Sequence, residues 1–171
     1  MKILALCGSL RAASTNRVLL RACAQVAPPG VSVSIFEGLG ALPPFNPDTE
    51  STAPPAVRAL QTAIETGDAL LIASPEYAHG ITGVLKNALD WLVSFPPFVE
   101  KPVAIFNASP RSVHADASLR EILTTMSANL VTAACIALPL RSTGPTVESI
   151  VAAHAQPIRD ALERLARAAA R

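Results

Sequence analysis

Gly8-Ser9-Leu10-Arg11-Ala12-Ala13-Ser14-Thr15-Asn16 carries the strongest chemical signal in the chain. The apolar run Ile3-Leu4-Ala5-Leu6-Cys7 precedes it, and a segment with helical periodicity follows. A strand that turns through a glycine and a run of hydroxyls into a helix makes a seat for phosphate. Unbonded N–H groups at the helix start and the positive end of its dipole both point into the turn. Arg11 adds a fixed cation whose planar fork of donors suits phosphate oxygens. The loop lacks Gly-x-x-x-x-Gly-Lys, and Leu10 and Ala13 stand where glycines would let a pyrophosphate approach. Hydroxyls and one arginine suit a single terminal phosphate better, which favours a flavin mononucleotide over a dinucleotide. An ordinary turn with an N-cap serine uses the same residues, so this loop alone does not decide.

Two more loops of similar chemistry follow apolar runs. Ser74-Pro75-Glu76-Tyr77-Ala78-His79-Gly80-Ile81-Thr82-Gly83 comes after Ala69–Ala73, and Asn107-Ala108-Ser109-Pro110 comes after Val103–Phe106. The elements that must position them read as follows. Residues 2–7, 31–35, 69–74, 103–106 and 131–138 are the expected strands. Helices are expected over 16–26, 56–66, 84–93, around Leu119–Met126, and over 147–169; Ser118 with Glu121 reads as a capping box for the fourth. Three prolines forbid a regular element over 42–48. Alternation of near-continuous apolar strands with helices predicts a parallel sheet covered on both faces. In such a sheet ligands sit outside the carboxyl ends of the strands at the switch point, where the loops 8–16, 74–83 and 107–115 meet.

The chain has 171 residues, the length of one domain, and no linker divides it. Hydrophobic residues make up 50% and charged residues 16%, lean enough in charge to expect apolar surface lost to a partner subunit. A net charge of +1 argues against a nucleic-acid partner held by a basic footprint. Cys7, Cys23 and Cys135 show no Cys-x-x-Cys spacing, so neither a metal site nor a redox pair is expected. No apolar run reaches the ~18 residues of a membrane span, and no signal peptide is seen. A cytoplasmic protein is the expectation.

Taken together, Gly-Ser-Leu-Arg-x-x-Ser-x-Asn, Ser-Pro-Glu-Tyr-x-x-Gly-x-x-Gly-x-Leu-Lys-Asn-Ala-Leu-Asp-Trp and Asn-Ala-Ser-Pro resemble the NADPH-dependent FMN reductase family over about residues 1–140. The resemblance implies one flavodoxin-like α/β domain over 1–171: a doubly wound five-stranded parallel sheet of order 2-1-3-4-5 with helices on both faces. It implies FMN as cofactor and NADPH, or NADH, as co-substrate. Hydride passes through the bound flavin to a quinone, a metal oxyanion such as chromate, an azo compound or free flavin in a ping-pong cycle. It assigns the phosphate to Ser9, Arg11, Ser14, Thr15 and Asn16. The flavin ring and ribityl chain go to Pro75, Glu76, Tyr77, Ala78 and His79, with Ser109 bordering the ring. No catalytic side chain is expected, because hydride transfer to a flavin needs orientation and not a protein base. The resemblance also implies a homodimer or homotetramer.

Two departures from the family pattern bear on the substrate. Ala78 follows Tyr77 where many members have Asn, and Arg111-Ser112 replace glycines. A further expectation comes from the helix over 84–93. Val84, Leu85, Ala88, Leu89 and Leu92 form one stripe, which leaves Trp91 on the other face, followed by Phe95-Pro96-Pro97-Phe98. The helix from Lys86 to Trp91 and the Phe95–Phe98 segment are therefore the expected subunit interface. The alternatives are a flavodoxin-type electron carrier, disfavoured by the near-neutral charge and 4% aromatic content, and a flavin-binding module without turnover.

Overall fold

Six short strands and five helices alternate along the chain in a computed structural model that describes residues 1–140 and 144–170. The strands are β1 (Lys2–Cys7), β2 (Ser32–Ile35), β3 (Ala69–Ala73), β4 (Pro102–Asn107), β5 (Asn129–Leu130) and β6 (Ile136–Ala137). The helices are α1 (Thr15–Val26), α2 (Pro55–Thr66), α3 (Gly83–Asp90), α4 (Val113–Thr125) and α5 (Val147–Ala169). All pairings between strands are parallel, in the order β2-β1-β3-β4-β5, with β6 also on β4. That is the doubly wound order that the family resemblance implies.

Alternation along each strand sends side chains to two cores. Ile3, Ala5, Cys7, Leu71 and Phe106 pack with α1 and α5. Leu4, Leu6, Leu70, Ile72 and Ile105 pack with α2, α3 and α4. Every residue of β3 is buried, as a central strand covered by helices on both sides requires.

The expected fifth strand over 131–138 is not one piece. Asn129–Leu130 and Ile136–Ala137 each pair with β4, and a 3-10 turn over Thr132–Ala134 separates them. Small side chains at Ala133 and Ala134 let the chain bulge against α5, where Arg164 Nη1 donates to the Ala133 carbonyl at 3.1 Å. Cys135 ends that turn half-buried, while Cys7 and Cys23 are buried, and all three thiols are free. Burial pushes the Cys23 thiol far above its ordinary range.

Two local expectations are corrected. The fourth helix starts at Val113, so Ser118 and Glu121 lie inside it and form no capping box. Its first turn is served from elsewhere in the chain: Glu76 Oε2 accepts from Ala115 N at 2.9 Å. Trp91 is not an exposed interface residue; it is 1% exposed. Its Nε1 donates to the Pro43 carbonyl at 2.8 Å, and Phe45 meets its ring edge-on at 5.1 Å between centroids. The proline-rich segment covers the face of α3 that helical periodicity leaves outside. Phe98 is likewise buried, so the expected Lys86–Trp91 and Phe95–Phe98 surface loses two of its large aromatics.

Candidate active site

The site is built where β1 and β3 lie side by side and the chain leaves them in opposite directions. Gly8 N donates to the Ala73 carbonyl at 2.9 Å, so the first and second loops diverge from one point. A Cβ at Gly8 would stand 2.2 Å from Ser74 Oγ and 2.6 Å from its Cβ. Only glycine allows the two strand ends to approach this closely.

Beyond Gly8 the first loop folds its hydroxyls inward. Ser9 is buried, and its Oγ accepts from Arg11 N at 3.4 Å. Ser14 is the N-cap of α1; its Oγ accepts from Arg17 N at 3.4 Å. A hydroxyl that accepts from the backbone still has its own proton to donate. The amides of Thr15 and Asn16 have no acceptor among the described residues, as the first turn of a helix requires. No acidic residue lies in that turn to compete for them.

Asn16 gives the sharpest geometric sign of a ligand. Its Oδ1 is buried and is the one buried side-chain nitrogen or oxygen, among the described residues, with no hydrogen-bond partner. An unpaired buried amide is costly, and burial of this kind persists where something outside the chain completes it. Asn16 and Thr15 line a cavity of about 190 Å³, with Ser74, Pro75, Glu76, Asn107, Ser109 and Arg111 on the other walls.

The second loop supplies a rigid wall and a turn. Tyr77 and Gly80 exchange backbone hydrogen bonds, Tyr77 N to Gly80 O at 3.1 Å and Gly80 N to Tyr77 O at 3.0 Å. Ala78 and His79 between them have φ of 49° and 58°. Two left-handed residues in succession make a type I′ turn, whose first position suits Asn. The family's frequent Asn after the Tyr thus has a backbone reason, and Ala78 keeps the turn without the side chain that favours it.

Asn107 shapes the third loop. Its Oδ1 accepts from Ser109 N at 2.9 Å, and its Nδ2 donates to the Ser112 carbonyl at 3.3 Å.

Of the residues expected from sequence, Thr15, Asn16, Pro75, Glu76 and Ser109 line the cavity together. Ser9 and Ser14 are buried in the first loop and are not part of the lining. Arg11 is exposed, and Tyr77, Ala78 and His79 form an exposed turn beyond the lining. Ser74, Asn107, Arg111 and Ser112 also line the cavity and were not assigned to the ligand. Asn followed two residues on by Ser is an Asx-turn signal, which would have placed Asn107 in that wall. Among the described residues neither Arg11 nor Arg111 is in an ion pair, whereas Arg120 is bound to Asp116 through Nε–Oδ2 at 2.6 Å. That hydrogen bond raises the Arg120 guanidinium above its already high ordinary value. Both site-loop guanidinia are thus without a carboxylate partner among those residues.

Residues 1–142 match the family model described as NADPH-dependent FMN reductase. The chain belongs to this family. An NAD(P)H-dependent FMN reductase of Pseudomonas aeruginosa is 41% identical over 112 residues, 64% of this chain and 60% of that one. An NAD(P)H:quinone oxidoreductase of Solanum tuberosum is 43% identical over 114 residues, 63% of this chain and 58% of that one. The chain thus matches less than two thirds of the length of either relative. Among solved structures, the flavoenzyme NAD(P)H:(acceptor) oxidoreductase FerB of Paracoccus denitrificans superposes with a TM-score of 0.77 over 97% of both chains at 24% identity. At that identity the likeness is one of fold. The family match ends at 142, so the three motif-bearing loops all fall inside it, and α5 lies beyond it.

Proposed function

We propose that the protein is an NAD(P)H-dependent FMN oxidoreductase that reduces a small acceptor of the quinone class. The observation that carries the reading is the unpartnered, buried Asn16 Oδ1 at a cavity rimmed by the free amides of α1. The donor set fits FMN: neutral hydroxyls and amides with two unpaired guanidinia match a phosphate ester and a chain of ribityl hydroxyls. Bound FMN would supply the two-electron redox chemistry that no side chain of the protein can provide.

The chain's own residues bind and orient. Ser9, Arg11, Ser14 and the Thr15 and Asn16 amides would hold the phosphate, and the Asn16 side-chain amide would take a ribityl hydroxyl. Pro75 has no N–H, so the wall it forms offers a flat face and no competing donor. Glu76 is held by Ala115 N, which fixes the backbone on either side of it. Arg111 lines the cavity and is exposed, and the 2′-phosphate of NADPH is a fitting partner for it. No step needs a side chain to move a proton.

The reading extends to three properties. The 171 residues act as one flavin-binding domain. The three free cysteines suit the reducing cytoplasm. Leu10, Tyr77 and Val113 are 60%, 57% and 58% exposed, one on each site loop or its helix, and an apolar rim of this kind suits a second copy of the chain. Oxidation of NADPH by FMN-loaded protein with menadione as acceptor tests the activity. Turnover abolished by omitting FMN supports it, and loaded protein without NADPH oxidation overturns it.

A further inference from the structure

Two contacts fasten the loop after β3 to the first turn of α4. One is the bond from Ala115 N to Glu76 Oε2 at 2.9 Å. The other is a stack of His79 on His114, with ring centroids 4.3 Å apart and planes inclined by 19°. Neither imidazole has a place in the redox chemistry.

We propose that His79 and His114 are positioning residues: their stack holds the Pro75–Glu76 wall against the flavin, and double protonation releases it. The inference rests on the flavin reading above. Its physical basis is the turn between Tyr77 and Gly80. Ala78 and His79 both stand in the left-handed region, which is unfavourable for any residue with a Cβ. The two backbone hydrogen bonds between Tyr77 and Gly80 close the turn, and a contact at its tip adds to what holds the strained pair in place. His79 is at the turn's tip, and the ring of His114, second residue of α4, is what it meets. Both are exposed, so solvent protons reach them.

A neutral pair attracts, and an imidazolium over a neutral ring also attracts, but two imidazolium ions at this separation repel. The surrounding side-chain charges cancel and leave that repulsion in place. Glu76 on the turn's own loop and Asp116 on α4 are negative. Arg120, bound to Asp116, and Arg111, on the segment over 108–112, are positive. The positive end of the α4 dipole adds to the latter.

The test is the FMN dissociation constant of the apo full chain, read by flavin fluorescence quenching at about pH 8 and about pH 5.5, the span across which imidazoles take up protons. FMN's own phosphate is protonated over part of this span in every variant, so the difference between proteins is the readout. His114→Phe keeps a stack and cannot form two cations. Wild-type affinity should fall about fivefold further than that of His114→Phe, the factor given by repulsion of two unit charges 4.3 Å apart in water. His114→Ala should bind FMN several-fold more weakly at about pH 8. In the apo chain it should also exchange the Tyr77 and Gly80 amides faster than wild type. Equal pH dependence in wild type and His114→Phe overturns the release, and unchanged exchange in His114→Ala overturns the positioning role. If no variant takes up FMN at about pH 8, the flavin reading is what fails, and amide exchange still decides whether the stack holds the turn.

Discussion

At the scale of single residues, the site depends on two backbone positions that the side-chain motifs surround. Gly8 is required because Ser74 occupies the space where a Cβ would sit. Both the serine hydroxyl and its own Cβ are in the way, so rotation of the hydroxyl does not clear the clash. Gly8→Ala should therefore separate the first two loops, destabilise the fold by about 1–3 kcal/mol in urea unfolding and lower FMN uptake. Ala78 is the opposite case. Its φ of 49° suits glycine or asparagine better than alanine. Ala78→Gly should stabilise the protein by about 0.5–1 kcal/mol in the same measurement, since relief of left-handed strain exceeds the added chain entropy. The serine cap at the start of α1 was legible in the sequence because it depends on neighbours along the chain. The Asn16 orphan was not, because it is defined by what three separate loops fail to offer it.

At the scale of elements, strands and most helix bounds followed from periodicity, whereas caps and covers did not. Periodicity reports which face of a helix is apolar, not what a distant loop lays over the other face. Asn87 shows the difference. Its Oδ1 accepts from Phe45 N at 2.7 Å and its Nδ2 donates to the Pro43 carbonyl at 2.9 Å. With Trp91 one turn on, it buckles the proline-rich segment to α3. The Lys-Asn-Ala-Leu-Asp-Trp run is thus a fastening for residues 43–45, and Trp91, expected on an open face, lies on one already covered. The covered segment also reaches the site: a Cβ at Gly40, a few residues earlier, would meet Leu10 of the first loop at 3.1 Å. Asn87→Ala leaves Phe45 N without an acceptor and should cost about 1–3 kcal/mol of stability by denaturant unfolding. An unchanged midpoint would show that the buckle is passive. The fourth helix gives the same lesson, for its cap is a glutamate 39 residues away in sequence.

At the scale of the whole molecule, the strand order came with the family resemblance, but a parallel sheet covered on both faces was legible because buried parallel strands read as short apolar runs and the connections between them are helices. The split of the fifth strand was not, since Val131–Leu138 is as apolar as a strand and only the packing of Ala133–Ala134 on α5 breaks it. Low charge content and the exposed Leu10, Tyr77 and Val113 leave an apolar rim around the site. Sedimentation of the FMN-loaded protein should give at least twice the monomer mass. Replacing Val113 with Glu should shift it towards the monomer, whereas a wild-type monomer at micromolar concentration would remove the proposed second copy.

The central claim is a phosphate seat at the start of α1 that accepts FMN. Its most direct test is equilibrium titration of the colourless apo-protein with FMN, with wild type and Arg11→Ala compared side by side. One FMN should bind per chain, and Arg11→Ala should weaken it about tenfold or more, the loss of one charge-assisted contact to phosphate. Folded wild-type protein that leaves FMN free at millimolar concentration, or binds it equally well without Arg11, would contradict the account.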